Sequence, residues 1–282
     1  MGPAPVLKQR HSRMSSPARP ILRSSILAAG SGTPVLLLHG SASAAVMWTP
    51  IIDALKPRFR VIAPDLIGYG RTESWPDGHD FTAADELRLL EPLLPPGRPV
   101  DVVAHSYGGL VALHLALAGR VALRSLTLIE PVAFFLLRHA GAHDAWTEIK
   151  TVGDGYAENI ARKETEAALR GFIDYWAGEG AWDAMDEMLR AQIRRSAEKI
   201  VLDFEVAFTD VASQVLSSLR ALKCPVRLIS GGRSRLPTRR IISILAAEVP
   251  AATLDVVDDA NHLLPVTHGD VLRALLMREL DA

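Results

Sequence analysis

The sequence predicts an α/β fold in which a mostly parallel sheet is flanked by helices. Short, continuous apolar runs recur along the chain, and longer amphipathic stretches separate them. A strand that is covered by helices on both faces has no polar side, because neither face meets water. Strands that alternate with helices in this way favour parallel pairing through right-handed crossovers.

The individual elements follow from the same pattern. The predicted strands lie at 35–38, 60–63, 100–104, 126–129, 226–230 and 253–257. The predicted helices lie at roughly 45–56, 82–94, 107–119, 237–248 and 269–280. Thr82, followed three residues later by Asp85, resembles a capping box at a helix start. In an open parallel sheet, reactive groups gather at the carboxyl ends of the strands.

The chain divides into a tail, a two-part core and an insertion. Residues 1–23 are basic, proline-rich and free of acidic residues, which predicts a disordered tail and leaves a targeting segment as the alternative. The strand–helix pattern occupies 24–131 and 218–282, the two parts of the core. Between them, 132–217 shows no convincing strand, and we predict a helical cap there. Apolar residues recur in it at helical spacing, as in Trp182, Met185, Leu189 and Ile193.

Composition and charge exclude several classes of protein. The 282 residues carry a formal net charge of −1, so nothing global favours nucleic acid or an anionic membrane as a partner. No apolar run approaches the ~18 residues that a membrane span needs. The single cysteine, Cys224, forms no intramolecular disulfide, which favours a reducing, cytoplasmic setting. We expect a small-molecule substrate, no metal and no cofactor, and the oligomeric state stays open.

The segment around Ser106 carries the strongest chemical signal. It runs from an apolar strand through Ala104, Ser106 and Gly108 into an amphipathic helix. A sharp strand-to-helix turn exposes a serine hydroxyl, and small residues two before and two after it avoid a collision across the turn. Ser106 is therefore the predicted nucleophile, with a helix-capping serine as the alternative. At the helix start the backbone donors are unpaired, so the N–H of Tyr107 is a predicted oxyanion donor.

A second oxyanion donor is predicted beside that turn. His39, Gly40 and Ser41 follow the first predicted strand of the core, and their loop should lie next to the serine. The backbone N–H of Ser41 is the candidate donor.

These motifs resemble those of the α/β-hydrolase superfamily, from about residue 24 to the end. The resemblance rests on His39-Gly40, the segment 64–72, the turn at Ser106 and Asn261-His262. It implies an eight-stranded sheet and the chain order nucleophile, acid, histidine. Asp65 resembles the structural aspartate of the superfamily's D-x-x-G-x-G turn. The resemblance implies no particular substrate, because this fold hosts many reactions.

His262 is the predicted general base. It follows the last predicted strand, on the loop where the superfamily carries its base. A free imidazole titrates near pH 6.5, which suits it to accept and return a serine proton. His268, six residues further on, is the main alternative.

The acid that orients the histidine departs from the superfamily's usual pattern. In many members it is an aspartate shortly after the strand at 226–230. Here the following loop, 231–237, contains no carboxylate, and Ser234 stands where an aspartate is expected.

Glu130 is the predicted replacement for that acid. Some branches of the superfamily place the acid at the end of the strand after the nucleophile's helix, and Glu130 directly follows the strand at 126–129. Asp258 and Asp259 remain alternatives, although their closeness to His262 in sequence makes the geometry awkward.

The sequence therefore predicts a cofactor-independent, carboxylesterase-like serine hydrolase. Its substrate would be a small, fairly apolar molecule with an ester-like or other acyl carbonyl, cleaved through an acyl-enzyme. Carbon–carbon bond hydrolysis on the same residues stays open, because relatives of that kind share the serine and the extra glycine seen at Gly109. The alternative to an enzyme is a non-catalytic ligand-binding protein with the same fold. The absence of a carboxylate at Ser234 favours this alternative.

Overall fold

The structure is a computed structural model that describes residues 20–209, 215–250 and 252–280. Of the predicted tail, residues 1–19 lie outside the described residues. The remainder of the tail contacts the core, since Arg23 O accepts a hydrogen bond from Glu73 N at 3.2 Å.

The described residues contain seven strands that form one sheet. These are β1 (Ile26–Ala29), β2 (Thr33–Leu38), β3 (Phe59–Pro64), β4 (Val100–His105), β5 (Leu123–Ile129), β6 (Val226–Gly231) and β7 (Ala252–Val257). Their order across the sheet is β1-β3-β2-β4-β5-β6-β7. β1 runs antiparallel to β3, and every other neighbouring pair is parallel.

Helices connect these strands and follow β5 in a long insertion. In chain order they are α1 (Thr49–Leu55), α2 (Ala83–Leu90), α3 (Tyr107–Ala118), α4 (Phe135–His139), α5 (His143–Ala161), α6 (Thr165–Ala177), α7 (Ala181–Ala184), α8 (Glu187–Arg194), α9 (Ala197–Phe208), α10 (Val215–Arg220), α11 (Leu236–Glu248), α12 (Leu264–Thr267) and α13 (Gly269–Leu280). Short 3₁₀ segments precede α1 and follow α2, at Ala45–Trp48 and Glu91–Leu93.

The predicted fold class is confirmed, because the sheet is mostly parallel and helices flank it. The count of eight strands that the resemblance implied differs from the seven strands of the described residues. Residues 20–25, which precede β1, do not add a strand; Ser25 N instead donates to Thr72 Oγ1 at 2.9 Å. β1 itself is not among the predicted strands, because it has four residues and three of them are exposed.

The sheet separates two apolar cores. In β2, Val35 and Leu37 pack with α1 and α13 on one face, whereas Leu36 and Leu38 pack with α2, α3 and α11 on the other. All four side chains are fully buried, and burying one such side chain contributes roughly 1.5–3 kcal/mol. The double-sided burial explains why the strands read as continuous apolar runs.

Between β5 and β6, every regular element of the described residues is a helix. Aromatic side chains join these helices to one another, as in the ring pairs Phe172–Phe204 at 5.9 Å and Phe204–Phe208 at 5.7 Å. The predicted run from Trp182 to Ile193 is not one helix. α7 ends at Ala184, and Asp186 starts α8 by accepting a hydrogen bond from Leu189 N at 2.8 Å.

Asp65 holds the turn after β3 together. Its carboxylate accepts hydrogen bonds from Ala45 N at 2.8 Å and Arg71 N at 3.0 Å. Gly70 approaches this carboxylate so closely that an added Cβ would lie 2.2 Å from it, and Gly70 has a φ of +57°. Asp65 is thus fully engaged with backbone groups.

Gly108 is the point at which α3 crosses the end of β2. A Cβ at this position would lie 2.4 Å from His39 O and 2.7 Å from the Leu38 carbonyl carbon. Both are backbone atoms, which have little freedom to move. The small residue that the turn motif requires is therefore needed for contact between a helix and a strand.

Replacing Gly108 with alanine should push α3 away from β2. We expect Gly108→Ala to lower the free energy of unfolding by about 1–3 kcal/mol, because overpacking forces the backbone to shift. Chemical denaturation followed by circular dichroism measures this change. The matched control is Gly171→Ala in α6, where an added Cβ meets nothing within 4 Å. It should stabilise the protein by up to ~1 kcal/mol through helix propensity, and equal effects at the two sites would contradict the close-contact explanation.

Candidate active site

Ser106 sits in a strained turn between β4 and α3. Its φ and ψ are 55° and −120°, a combination that is unfavourable for any residue with a side chain. Backbone hydrogen bonds hold it there: Ser106 N donates to Ile129 O at 3.0 Å, and Ser106 O accepts from Leu110 N at 3.1 Å. Strain that is over-determined by its surroundings in this way is typical of functional positions.

The ring of His262 reaches Ser106 from the loop after β7. The distance from His262 Nε2 to Ser106 Oγ is 2.9 Å, and both residues are buried. Two rings fix the imidazole, because Trp176 lies 4.1 Å from it and His105 lies 5.0 Å from it, centroid to centroid. His105 Nε2 also donates to the carbonyl of His262 at 2.8 Å.

Glu130 contacts the other nitrogen of the same imidazole. His262 Nδ1 lies 3.3 Å from Glu130 Oε2, and a carboxylate only accepts, so Nδ1 carries the hydrogen. Glu130 Oε1 accepts hydrogen bonds from Ser230 Oγ and Gly231 N, both at 2.8 Å. Burial raises the pKa of Glu130, but these hydrogen bonds, that with His262 first, outweigh it and hold the pKa below its ordinary value. The carboxyl is therefore charged.

The competing acids and the competing histidine lie elsewhere. Asp258 and Asp259 are exposed, and Asp259 Oδ1 pairs with His268 Nε2 at 3.3 Å. His268 is consequently engaged at the surface. Of the alternatives left open by the sequence, the geometry brings together Ser106, His262 and Glu130.

Two backbone N–H groups flank the serine, as the motifs predict. A Cβ on Gly40 would lie 2.9 Å from Ser106 Cβ, so the loop that carries Ser41 runs directly beside the serine. Tyr107 is the first residue of α3. Among the described residues, neither the N–H of Ser41 nor that of Tyr107 has a hydrogen-bond partner. Both donors are thus available to a ligand oxygen.

His39 and His105 border the site without the properties of a general base. Burial lowers the pKa of His39 to about 4 and that of His105 to about 3. His39 Nε2 accepts a hydrogen bond from Leu66 N at 3.0 Å and Nδ1 donates to Gly40 O at 2.8 Å. Both rings are neutral and hold loops in place.

A narrow cavity opens above Ser106, between the core and the inserted helices. Its volume is about 20 Å³, room for one small group. Most of its lining is apolar and comes from Val132, Phe134, Phe172, Trp176, Ile200, Phe204 and Ala207, whereas Ser41, Ser106 and Asp203 supply the polar atoms. We name this space the serine cavity.

Asp203 belongs to a buried polar network that the sequence reasoning missed. Its Oδ2 accepts hydrogen bonds from Ser41 Oγ and Tyr69 OH, both at 2.5 Å, and its Oδ1 pairs with Lys199 Nζ. Lys199 Nζ also lies 3.3 Å from Glu86 Oε1. The network ties α9 to the core beside the serine. A Lys and an Asp four residues apart, beside the apolar Ile200 and Phe204 of the same helix, were the available signal.

A comparison with known proteins decides the family. A family model described as "Alpha/beta hydrolase family" matches residues 35–275. The chain belongs to the alpha/beta hydrolase family. No described helix of this alpha/beta hydrolase combines the length and the apolar character that crossing a membrane requires.

Two curated relatives of this alpha/beta hydrolase match it over most of its length. One is the pimeloyl-[acyl-carrier protein] methyl ester esterase of Proteus mirabilis, 26% identical over 256 residues, which are 89% of this chain and 93% of the relative. The other is the 2-hydroxymuconate semialdehyde hydrolase of Pseudomonas putida, 27% identical over 279 residues, which cover 90% of each chain.

The fold of this alpha/beta hydrolase is also similar to that of solved structures. An alpha/beta hydrolase enzyme from a Medee basin deep-sea metagenome library superposes with a TM-score of 0.76 at 17% identity, over 93% of this chain and 94% of the other.

Removing the cation of the buried network should destabilise the protein. Lys199→Met leaves the carboxylates of Glu86 and Asp203 without their shared partner, and we expect a loss of roughly 3–5 kcal/mol in the free energy of unfolding. Urea denaturation measures it. Lys150→Met is the matched control, since Lys150 pairs with Asp154 at the same spacing on an exposed helix face. That pair should contribute at most about 1 kcal/mol; similar losses in both variants would show that the buried network is not specially stabilising.

Proposed function

We propose that this protein is a serine hydrolase that cleaves ester-like carbonyls through an acyl-enzyme. The observation that carries the proposal is the contact of 2.9 Å between Ser106 Oγ and His262 Nε2, with Glu130 on the opposite nitrogen of the ring. A nucleophile, a base within hydrogen-bond reach and a third group that orients the base form the arrangement that activates a serine hydroxyl.

In the proposed mechanism, His262 Nε2 takes the proton of Ser106 as Oγ attacks the substrate carbonyl. The imidazolium that forms carries its charge between Ser106 and the buried carboxylate of Glu130, which stabilises it. His262 then returns the proton to the leaving alcohol, and Ser106 is left acylated. A water molecule, deprotonated by the same nitrogen, attacks the acyl-enzyme and releases the acid.

The N–H groups of Ser41 and Tyr107 would hold the negative oxygen of the tetrahedral intermediate. Two features support this role: both donors lack a partner among the described residues, and both flank Ser106. Tyr107 also lies at the positive end of the α3 dipole. One such donor typically contributes roughly 100- to 1,000-fold in turnover.

The size and lining of the serine cavity support a small, fairly apolar acyl group. We propose that the helices α4 to α10 act as a cap over this cavity, with α9 supplying Ile200, Asp203 and Phe204 to its wall. We propose a cytoplasmic setting as well, on the ground of the single cysteine.

A second candidate is carbon–carbon bond hydrolysis by the same residues. It is favoured by the match to the Pseudomonas relative, whose name gives a semialdehyde as its substrate where that of the Proteus relative gives a methyl ester. A panel that contains both short esters and vinylogous diketones distinguishes the two reactions.

Ser106 should react covalently with an active-site-directed probe. A fluorophosphonate is expected to label the wild type and to leave Ser106→Ala unlabelled, because only an activated hydroxyl attacks the phosphorus. Ser106→Ala should also lower hydrolysis of 4-nitrophenyl acetate by at least roughly 1,000-fold. Absence of serine-dependent labelling in the folded wild type would favour the alternative of a non-catalytic ligand-binding protein.

Glu130→Gln tests the acid without changing its shape. An amide does not hold the Nδ1–H tautomer or the imidazolium, so kcat should fall by about 1,000- to 10,000-fold while the melting temperature changes little. Asp258→Asn and Asp259→Asn serve as controls, since both carboxylates are exposed and lie away from the ring. Near-full turnover in Glu130→Gln, or a large loss in either control, would overturn the assignment.

A further inference from the structure

A second, larger space borders Trp176 and His262. It is a cleft of about 410 Å³. We name it the arginine cleft, after three residues of the β6–α11 loop and the first turns of α11: Arg233, Arg235 and Arg239. Trp176 and His262 form the wall that it shares with the site.

The arginine cleft carries a net positive charge. Among the described residues that line it, three guanidinium groups accompany one carboxylate, that of Glu148, which accepts a hydrogen bond from Tyr175 OH at 2.7 Å. Arg235 is partly engaged, because its Nε donates to Tyr175 O at 3.0 Å and its guanidinium lies 5.0 Å from the Tyr175 ring. Arg233 and Arg239 are solvent-exposed residues that line the cleft. Guanidinium groups match the two-oxygen geometry of carboxylates and phosphates.

One backbone feature and one side-chain feature of the same loop also favour binding of an anion. α11 begins at Leu236 with no acidic residue in its first turn, so the positive end of its dipole is not neutralised. Ser234, which lines the cleft, is 5% exposed, and its Oγ has no hydrogen-bond partner among the described residues. A buried hydroxyl without a partner is unfavourable, and a ligand oxygen would satisfy it.

The position of the cleft beside His262 indicates which part of an ester substrate would enter it. Trp176 lines both the serine cavity and the arginine cleft, and His262, whose Nε2 contacts Ser106 Oγ, is also among the residues that line the cleft. The leaving alcohol must lie within reach of His262 Nε2 to receive its proton. The small serine cavity suits the acyl group, so the alcohol side is the part that extends toward the arginines.

We propose that the arginine cleft binds an oxyanion group, a carboxylate or a phosphate, on the alcohol part of the substrate. This inference rests on the proposed ester hydrolysis and adds the chemical class of the leaving group. The missing carboxylate at Ser234 fits the same purpose, because an aspartate there would repel the anion that the arginines attract.

The test compares three acetyl esters that share a phenyl leaving group and differ in its para substituent, which is hydrogen, a carboxylate or a phosphate: phenyl acetate, 4-acetoxybenzoate and 4-acetoxyphenyl phosphate. The measured quantity is KM for each anionic ester divided by KM for phenyl acetate, which cancels effects common to all three. Arg239→Gln and Arg233→Gln should each raise that ratio by about 10-fold, the lower end of the effect of losing one hydrogen bond to a charged group. Arg240→Gln is the control: this next residue of α11 faces Asp144 at 3.8 Å and should leave the ratio unchanged.

The two anionic esters distinguish the source of the charge. A rise for 4-acetoxybenzoate alone assigns the cleft to carboxylates, a rise for the phosphate ester alone assigns it to phosphates, and a rise for both supports the shared class. An unchanged ratio for both esters in both variants overturns the inference, and so does an equal rise in Arg240→Gln.

Failure of this inference is separable from failure of the proposed function. If hydrolysis of phenyl acetate depends on Ser106 but the KM ratios do not change in the arginine variants, the proposed function stands and anion binding by the arginine cleft is overturned. If no ester is hydrolysed, calorimetric titration of the wild type with benzoate and phenyl phosphate decides the matter. Binding that weakens in Arg239→Gln and persists in Arg240→Gln supports the cleft, and absence of binding overturns it.

Discussion

The register of three neighbouring parallel strands is the constraint on which the rest of the site depends. β4, β5 and β6 pair so that His105 faces Ile129 and Ile129 faces Ile229. The residues that follow, Ser106 and Glu130, both leave the sheet with positive φ, at 55° and 48°. Each is anchored to the next strand, since Ser106 N bonds to Ile129 O and Glu130 N bonds to Ile229 O, both at 3.0 Å. One sheet edge thereby sets the spacing between a hydroxyl and a carboxylate, and His262 only has to reach between them.

Two buried carboxylates lie near Ser106, and different groups compensate their charges. Glu130 is satisfied by the imidazole of His262 and by donors from β6, so its charge bears on the ring. Asp203 lies on the other side, beside Ser41, where an uncompensated charge would oppose a developing oxyanion. The ammonium group of Lys199 neutralises this charge, and the hydroxyls of Ser41 and Tyr69 donate hydrogen bonds to the carboxylate. Burial of a charge is tolerated only with partners of this kind, so the network is a condition for placing a carboxylate in the cavity wall.

Much of this architecture could be predicted from local patterns, and the exceptions have physical causes. The buried strands and the helices α1, α3, α11 and α13 follow from apolar runs and amphipathic stretches, because burial on both faces leaves a strong signal in composition. β1 carries no such signal, since it is an exposed edge strand. The break between α7 and α8 depends on the cap formed by Asp186, which competes with an apolar period that continues through it.

The site residues show the same distinction between local and distant information. Ser106, Glu130 and His262 each directly follow or lie near the end of a strand, so topology alone indicates that they meet. Asp203 lies on an inserted helix, 162 residues from Ser41, and its place depends on how that helix packs. No spacing rule relates the two, which is why the sequence indicated an apolar helix face and not a carboxylate beside the serine.

The order of strands in the sheet explains why no acid follows β6. From the sequence, Ser234 is a missing carboxylate and favours a protein without activity. In the fold, β5 and β6 are neighbours, so an acid at the end of either strand can approach the same imidazole nitrogen. Glu130, which follows β5, makes this contact with the imidazole, and it accepts hydrogen bonds from Ser230 and Gly231 of β6. The β6–α11 loop no longer has to present a negative charge to His262. It is therefore free to carry Arg233, Arg235 and Arg239 beside the ring, a set of charges that an aspartate at position 234 would have neutralised in part.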